Sequence, residues 1–188
     1  GHADPAIVAA DLLAQAEHDE DALAVAVTTS ESLAEKVEAR LRSRLRSLPG
    51  DSPARTALKR WGAVFLAEDL EAACGVVNRI APEHVELLVE EPQRWVERIT
   101  AAGAVFLGAF SPVTLGDYVV GSNHILPTAR AARFASPLGV WDFVHRTAVI
   151  QVAPHRYPKL ARAAATLAEV EGLPLHAEAL SAGERGRL

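Results

Sequence analysis

The sequence predicts an α/β fold: an incomplete Rossmann-like, mostly parallel sheet flanked by helices, followed by a small C-terminal helical and tail segment. Short apolar runs alternate with amphipathic helical stretches between residues 4 and 107. Strands that alternate with helices are typical of a parallel sheet covered on both faces. After Leu138 this alternation stops. We therefore divide the chain into an α/β part, residues 1–138, and a C-terminal segment, residues 139–188.

The first five elements are predicted from helix start signals, helix stop signals and hydrophobic periodicity. Asp4 before Pro5 gives an N-cap followed by proline at the first helical position. Thr28 and Glu31 have the spacing of a capping box, which opens a second helix. In order, the sequence predicts a helix from 4 to about 18, a strand at 22–27, a helix at 28–48, a short helix at 53–60 and a strand at 62–66.

The middle of the chain continues the same alternation and then becomes irregular. Asp69 caps a helix that runs to about Ile80, and Pro92 opens another helix. Strands are predicted at 85–89 and 104–107, and an irregular segment at 108–128. Ligands of parallel sheets sit beyond the carboxyl ends of the strands. We therefore expect the irregular segment to lie at that end and to bind something.

The C-terminal segment is predicted to be mainly helical. A short amphipathic piece at 141–146 and an apolar run at 147–152 precede a helix at 158–170, which Gly172 and Pro174 end. Residues 175–188 have little apolar content to hold them in place. Such a tail is expected to be disordered unless it docks on something, such as a partner subunit.

Composition excludes several classes of protein. The chain is 49% hydrophobic and 23% charged, which is ordinary for a globular protein, and its net charge of -5 argues against a nucleic-acid binder. It has no apolar run of about twenty residues, so we expect no membrane partner. Cys74 is the single cysteine, which excludes an internal disulfide. Without a signal-peptide pattern, these features favour a cytoplasmic protein.

The start of the sequence is unusual. The chain begins Gly1-His2 and contains no methionine. Gly1-His2 resembles a remnant of tag cleavage. We therefore expect this chain to be a trimmed piece of a longer protein.

Polar residues suited to chemistry lie at the ends of the predicted elements, where functional sites concentrate. Gln15 and His18 are three residues apart on the first helix and therefore share a face. Glu83 beside His84 is the usual equipment for proton abstraction near neutral pH. The remaining candidates are Asp117 and His124 in the irregular segment, and Glu171 and His176 on either side of the stop after the last helix.

These residue types indicate a dispersed site of histidine, aspartate, glutamine and glutamate side chains with a zinc-like ion as its ligand. None of them has the spacing of a zinc finger or of a helix with two histidines four residues apart. Each pair taken alone also fits a solvated helix end or loop. The chemistry of the residues leaves that interpretation open.

Six stretches of the sequence, in this order, resemble the histidinol dehydrogenase family. Together they extend over essentially the whole chain and are specific, although each alone is not. The stretches are DLLAQAEH at 11–18, APEH at 81–84, AGAVFLG at 102–108, GDY at 116–118, NHILPT at 123–128 and EGLPLH at 171–176.

The resemblance implies a zinc-containing, homodimeric oxidoreductase that converts L-histidinol to L-histidine in the last steps of histidine biosynthesis. Two hydride transfers to NAD proceed through an aldehyde, and zinc holds the imidazole and amino group of the substrate. The implied zinc ligands are Gln15, His18, Asp117 and His176. The C-terminal segment would serve dimerisation, because Glu171 and His176 would be supplied to the site of the neighbouring subunit.

The resemblance also implies the roles of the other candidates. His84 would be the general base that takes the hydroxyl proton, and Glu83 would activate the water that adds to the aldehyde. His124 would lie near the substrate. The implied substrate-binding residues are therefore Gln15, His18, His84, Asp117, His124, Glu171 and His176.

The resemblance covers only about the C-terminal half of a family member. The other half would contain most of the NAD site, so the cofactor-binding residues stay unknown and we expect this chain alone not to oxidise histidinol. Two alternatives from other classes stay open. One is a non-catalytic zinc-binding or dimerisation module, and the other is a zinc hydrolase with Glu83 as the base toward metal-bound water.

Overall fold

The structure is a computed structural model that describes residues 3–121 and 123–182. The chain forms two compact units, residues 1–143 and residues 144–188. The first unit contains all the described strands. No helix in the part of the chain that the structure describes has both the length and the apolar character needed to cross a membrane.

The first unit alternates helices and strands, as the sequence predicts. Its helices and strands are α1 (Pro5–Ala16), β1 (Val25–Thr28), α2 (Glu31–Ser47), α3 (Pro53–Trp61), β2 (Ala63–Leu66), α4 (Leu70–Ile80), β3 (His84–Leu87), β4 (Ala104–Leu107) and α5 (Val113–Tyr118). Short 3-10 helices lie at Pro92–Arg98, Ala131–Arg133 and Val140–Phe143. The helix predicted after Pro92 is thus a 3-10 helix.

The described strands form two separate parallel pairs. Strand β1 pairs with β2, with Val25 opposite Ala63, and β3 pairs with β4, with His84 opposite Ala104. Parallel neighbours need a crossover connection, and α2 with α3 supplies it for the first pair. The architecture confirms the predicted α/β fold with parallel strands and helices around them.

Small side chains bring the first helices close to the first strand pair. Ala16 at the end of α1, Ala24 before β1, and Ala54 and Ala57 on α3 form one buried cluster. Alanine lets two helices approach each other more closely than a larger residue would. The position of α1 relative to the strands follows from this packing, and α1 carries Gln15.

The start of α2 differs from the predicted capping box. The helix begins at Glu31, and the Ser30 hydroxyl accepts the Leu33 N–H at 3.3 Å, so Ser30 is the N-cap. The Thr28 hydroxyl instead accepts the Ser30 N–H at 3.1 Å, and Thr28 is the last residue of β1. The predicted Thr28 cap is wrong because the serine two residues later provides the same acceptor closer to the first helical turn.

The segment predicted to be irregular at 108–128 contains a short helix. Asp117 lies on α5, which has six residues. A helix this short is marginal by itself and needs tertiary contacts. The pattern of the segment therefore does not show it.

The C-terminal tail is helical rather than disordered over residues 175–182. The second unit contains a 3-10 helix at Pro154–Arg156, α6 (Tyr157–Val170) and α7 (Pro174–Ala182). Gly172 has a positive φ of 72° and separates the two helices, while Pro174 lies in the first turn of α7, where proline is favoured. The Tyr157 hydroxyl donates to the Leu180 carbonyl at 2.7 Å. The predicted tail at 183–188 lies outside the described residues.

Gly103 gives a test of packing beneath the candidate site. A Cβ atom at Gly103 would lie 2.6 Å from the Glu83 carbonyl oxygen and 3.1 Å from Pro127 Cδ. That carbonyl also accepts the Ala104 N–H at 2.8 Å, so it cannot move without weakening the strand pair. We expect Gly103→Ala to lower the free energy of unfolding by about 1–3 kcal/mol, the usual cost of overpacking, as measured by urea denaturation.

Gly75→Ala is the matched control, because Gly75 lies inside α4 and a Cβ atom there would meet nothing within 4 Å. Alanine in a helix interior is more favourable than glycine by roughly 0.5–1 kcal/mol, so this variant should be slightly stabilised. If Gly103→Ala is as stable as Gly75→Ala, the close approach to Glu83 is wrong.

Candidate active site

A cleft of about 640 Å³ in the first unit gathers most of the polar candidates. Its walls include apolar side chains of β1, α4 and β3, and its polar groups come from α1, from the start of β3 and from α5. A mostly apolar cleft with a few convergent polar groups is the usual form of a small-molecule site. The ionisable or amide side chains of α1, β3 and α5 that line it, with Glu83 just before β3, are Asp11, Gln15, His18, Glu83, His84, Glu86 and Asp117.

His18 and Asp117 come together although they are far apart in the sequence. His18 Nε2 lies 4.0 Å from Asp117 Oδ2, and the His18 side chain is 59% exposed whereas that of Asp117 is 20% exposed. His18 follows the end of α1, and Gln15 lies on the last turn of the same helix. An imidazole nitrogen and carboxylate and amide oxygens are donors that zinc accepts.

The donor set fits a metal only in part within the described residues. No group of three or more histidine, cysteine, aspartate or glutamate side chains converges there on a common point. His18 and Asp117 are two such ligands, and the Gln15 amide belongs to a type that this comparison leaves aside. A four-coordinate zinc ion would therefore need a further ligand.

His84 is the half-buried imidazole of the cleft. It is the first residue of β3, and its ring lies against that of Phe106, with 6.1 Å between the ring centroids. Burial lowers the pKa of His84, and the His18 side chain lowers it further, whereas Glu83 and Asp117 raise it. Since burial is the largest influence, His84 stays neutral near pH 7 and can accept a proton.

Glu83 is fixed through its backbone at the entrance to β3. Its carbonyl accepts the Ala104 N–H at 2.8 Å, and its side chain is partly exposed and lines the cleft. Pro82 precedes it, and the Pro82 carbonyl accepts the Gly103 N–H at 3.1 Å. The loop corner thus holds both Glu83 and His84 against one cleft.

Asp117 lies near the amino end of β3, not beyond the carboxyl ends of the strands. The Val113 N–H at the start of α5 donates to Glu86, the third residue of β3, at 2.7 Å. Asp117, one turn further along α5, influences His84, the first residue of β3. Helix α5 therefore runs back along β3, which corrects the expected position of this segment.

The other three candidates lie elsewhere. His124 is exposed on irregular backbone and is not among the residues that line the cleft. Glu171 follows α6 as its C-cap, and His176 is exposed in the first turn of α7, so both belong to the second unit. The structure therefore places four candidates and Glu83 in or beside one cleft and leaves these three outside the group.

Sequence reasoning missed two carboxylates in the cleft, Asp11 and Glu86. Their side chains are hydrogen-bonded to each other, which requires a shared proton. Burial raises the pKa of Glu86 to about 7 and also raises the pKa of Asp11. Their spacing was visible in the sequence, since Asp11 precedes Gln15 by one helical turn and Glu86 shares a strand face with His84.

Comparisons with known proteins point to a single family. The family profile described as histidinol dehydrogenase matches residues 1–183. A histidinol dehydrogenase of Dechloromonas aromatica is 46% identical over 178 residues, which is 95% of this chain and 41% of that protein. One from Thiocapsa roseopersicina is 46% identical over 186 residues, covering 99% of this chain and 79% of that sequence.

A solved structure has the same fold. The crystal structure of histidinol dehydrogenase from Elizabethkingia anophelis superposes with a TM-score of 0.83 at 34% sequence identity. The match covers 96% of this chain and 41% of that one. The chain spans about 40% of the length of most of the curated relatives it matches.

Proposed function

The chain belongs to the histidinol dehydrogenase family, and we propose that it supplies the metal-binding and proton-transfer residues for the NAD-dependent oxidation of L-histidinol to L-histidine through histidinaldehyde. One observation carries the proposal. His18 and Asp117, 4.0 Å apart, share a cleft with a half-buried His84 whose pKa is lowered. Ligand-type residues and a neutral base in one cleft are what an alcohol oxidation at a metal site requires.

Zinc would be held by Gln15, His18 and Asp117, with His176 supplied by the neighbouring subunit of a homodimer. The first three fit because they line one cleft and offer nitrogen and oxygen donors. When bound, zinc would orient the imidazole and amino group of the substrate.

His84 and Glu83 would divide the proton transfers. His84, neutral in the folded protein, accepts the hydroxyl proton while the hydride leaves the same carbon for NAD. Glu83, beside it, accepts a proton from the water that adds to the aldehyde before the second hydride transfer. The apolar cleft walls limit competing water around the reacting carbon.

The remaining residues would complete the substrate site. His124 would lie near the substrate, and Glu171 and His176 would reach the site of the partner subunit from the segment at 139–188. We propose that the residues that contact NAD lie outside this chain and that the protein works in the cytoplasm. The 188 residues alone would then bind metal without oxidising histidinol.

The test follows NADH formation from L-histidinol at 340 nm, with this chain alone and with a polypeptide of full family length that carries this sequence. We expect turnover only from the longer polypeptide. A strong chelator should abolish the activity, because the substrate loses its anchor, and added zinc should restore it. A longer polypeptide that binds zinc but neither binds nor oxidises histidinol would overturn the proposal.

The same samples distinguish the alternatives. Zinc uptake and dimer formation without affinity for histidinol would support a zinc-binding or dimerisation module. Hydrolysis of ester or amide substrates that depends on Glu83 would support a zinc hydrolase, since such an enzyme keeps a metal-bound water beside its base.

A further inference from the structure

We propose that Glu86 is a positioning residue that seats α5 on β3 and thereby presents Asp117 to His18. The inference rests on the proposed function only in giving Asp117 a metal to bind. Its geometric part concerns three elements, α1, β3 and α5, and one hydrogen bond between residues 27 positions apart.

The first step is that α5 cannot position itself. It has six residues, and Pro112 at its N-cap provides no side-chain hydrogen bond to the first turn. The first N–H groups of a helix have no partner within the helix. The Val113 N–H finds one in Glu86 Oε1 at 2.7 Å, so a strand side chain caps the helix.

The second step is that the spacing of the three elements matches. His84 and Glu86 are two residues apart on β3, which is about 6.6 Å. Val113 and Asp117 are four residues apart on α5, which is about 6 Å. Fixing Val113 above Glu86 therefore places Asp117 level with His84. The residues form two layers, one with His84, Asp117 and His18 and one with Glu86, the Val113 N–H and Asp11.

The third step is that Glu86 is itself held. Its side chain is hydrogen-bonded to that of Asp11, which lies on α1 one turn before Gln15 and two turns before His18. The supporting layer therefore joins the same three elements that carry the chemistry. Burial raises the pKa of Glu86 to about 7, as expected for a carboxyl that shares a proton with a neighbour. A second Gly116–Phe106 contact holds the other end of α5, since a Cβ at Gly116 would lie 2.7 Å from the Phe106 ring.

The test removes each half of the hydrogen bond separately in the 188-residue chain. Glu86→Leu removes the acceptor. Val113→Pro removes only the donor, and proline is well tolerated at the first position of a helix. Glu86→Gln keeps an acceptor for Val113 and gains a donor for Asp11, so it is the conservative rescue. Asp69→Leu is the matched control, because Asp69 caps α4 through the Ala72 N–H at 2.7 Å.

The first readout is amide hydrogen exchange of α5 without metal. We expect the Val119 N–H, which donates to Leu115 at 2.9 Å, to exchange at least about tenfold faster in Glu86→Leu and Val113→Pro. Glu86→Gln should exchange at the unchanged rate, and Asp69→Leu should accelerate exchange in α4 only. Unchanged α5 exchange in both Glu86→Leu and Val113→Pro would overturn the proposal. If Glu86→Leu does not fold, Val113→Pro decides the matter.

The second readout is zinc affinity and the absorption spectrum of bound Co²⁺. Loss of an outer-shell partner usually weakens metal binding roughly 10–100-fold, and we expect that loss in Glu86→Leu and Val113→Pro but not in Glu86→Gln or Asp69→Leu. A wild-type chain that binds no metal would contradict the proposed function, while the exchange data would still decide whether Glu86 positions α5. Wild-type affinity in both disrupted variants would show that Asp117 does not depend on Glu86.

Discussion

Replacing His84 with asparagine in a polypeptide of full family length is expected to lower kcat for histidinol oxidation by about 10²–10⁴-fold, the usual contribution of a positioned base. Asparagine keeps a polar side chain of similar size but cannot accept the proton. His84 is not among the proposed metal ligands, so zinc content should stay unchanged. Initial NADH formation and metal analysis of the same sample check both statements.

The pH dependence of this variant gives an independent check. Burial lowers the pKa of His84, so the neutral imidazole persists below the ordinary histidine pKa of about 6.5. The wild-type rate should therefore fall only as the pH drops through that lowered pKa, where His84 becomes protonated. The acid limb that His84 causes should disappear in His84→Asn.

His155→Asn is the control, since His155 is an exposed histidine of the second unit and should lose no activity when replaced. Joint loss of zinc and activity in His84→Asn would contradict the assigned role, because it would make His84 a ligand or a structural residue. A variant with near wild-type activity would remove His84 from the proton transfer altogether.

Local signals predicted the elements that depend on local interactions. Asp4 and Pro5 start α1 as expected, with the Asp4 carboxylate accepting the Ala6 N–H at 2.7 Å. Asp69 likewise caps α4. These contacts span only a few residues, and the sequence therefore shows them directly.

Elements stabilised by distant partners could not be predicted in the same way. Helix α5 depends on Glu86, which precedes it by a strand and a loop, and no pattern within 113–118 indicates that contact. Helix α7 depends on Tyr157 at the start of α6. Both helices were assigned to irregular or disordered chain because their stabilising contacts are tertiary.

The candidate site shows the same division. Gln15 with His18 and Glu83 with His84 were visible as local pairs, but spacing alone could not bring Asp117 to them across a separation of about a hundred residues. The resemblance to a family supplied Asp117, and the 4.0 Å distance to His18 gives it a physical basis. Asp11 and Glu86 escaped notice because a buried carboxyl pair has meaning only once the elements are packed.

Replacing Asp117 with alanine has the second large expected effect, a loss of zinc affinity greater than the roughly 10–100-fold that follows from losing an outer-shell partner. The substitution removes an anionic oxygen donor and leaves His18 without its nearest carboxylate. Competition with a chromophoric chelator, using the 188-residue chain, measures the affinity. Asp117→Asn separates charge from ligation, because its amide oxygen can still bind a metal while the negative charge is gone.

Asp51→Ala is the control for this experiment, because Asp51 is exposed in a turn between α2 and α3 and should leave zinc affinity unchanged. The graded order wild type, Asp117→Asn, Asp117→Ala is expected if the carboxylate contributes both an oxygen and a charge. The charge also raises the pKa of His84, so either variant should shift the acid limb of the activity to lower pH in the longer polypeptide. Equal zinc affinity in all three proteins would separate Asp117 from the metal, even with the acid limb shifted.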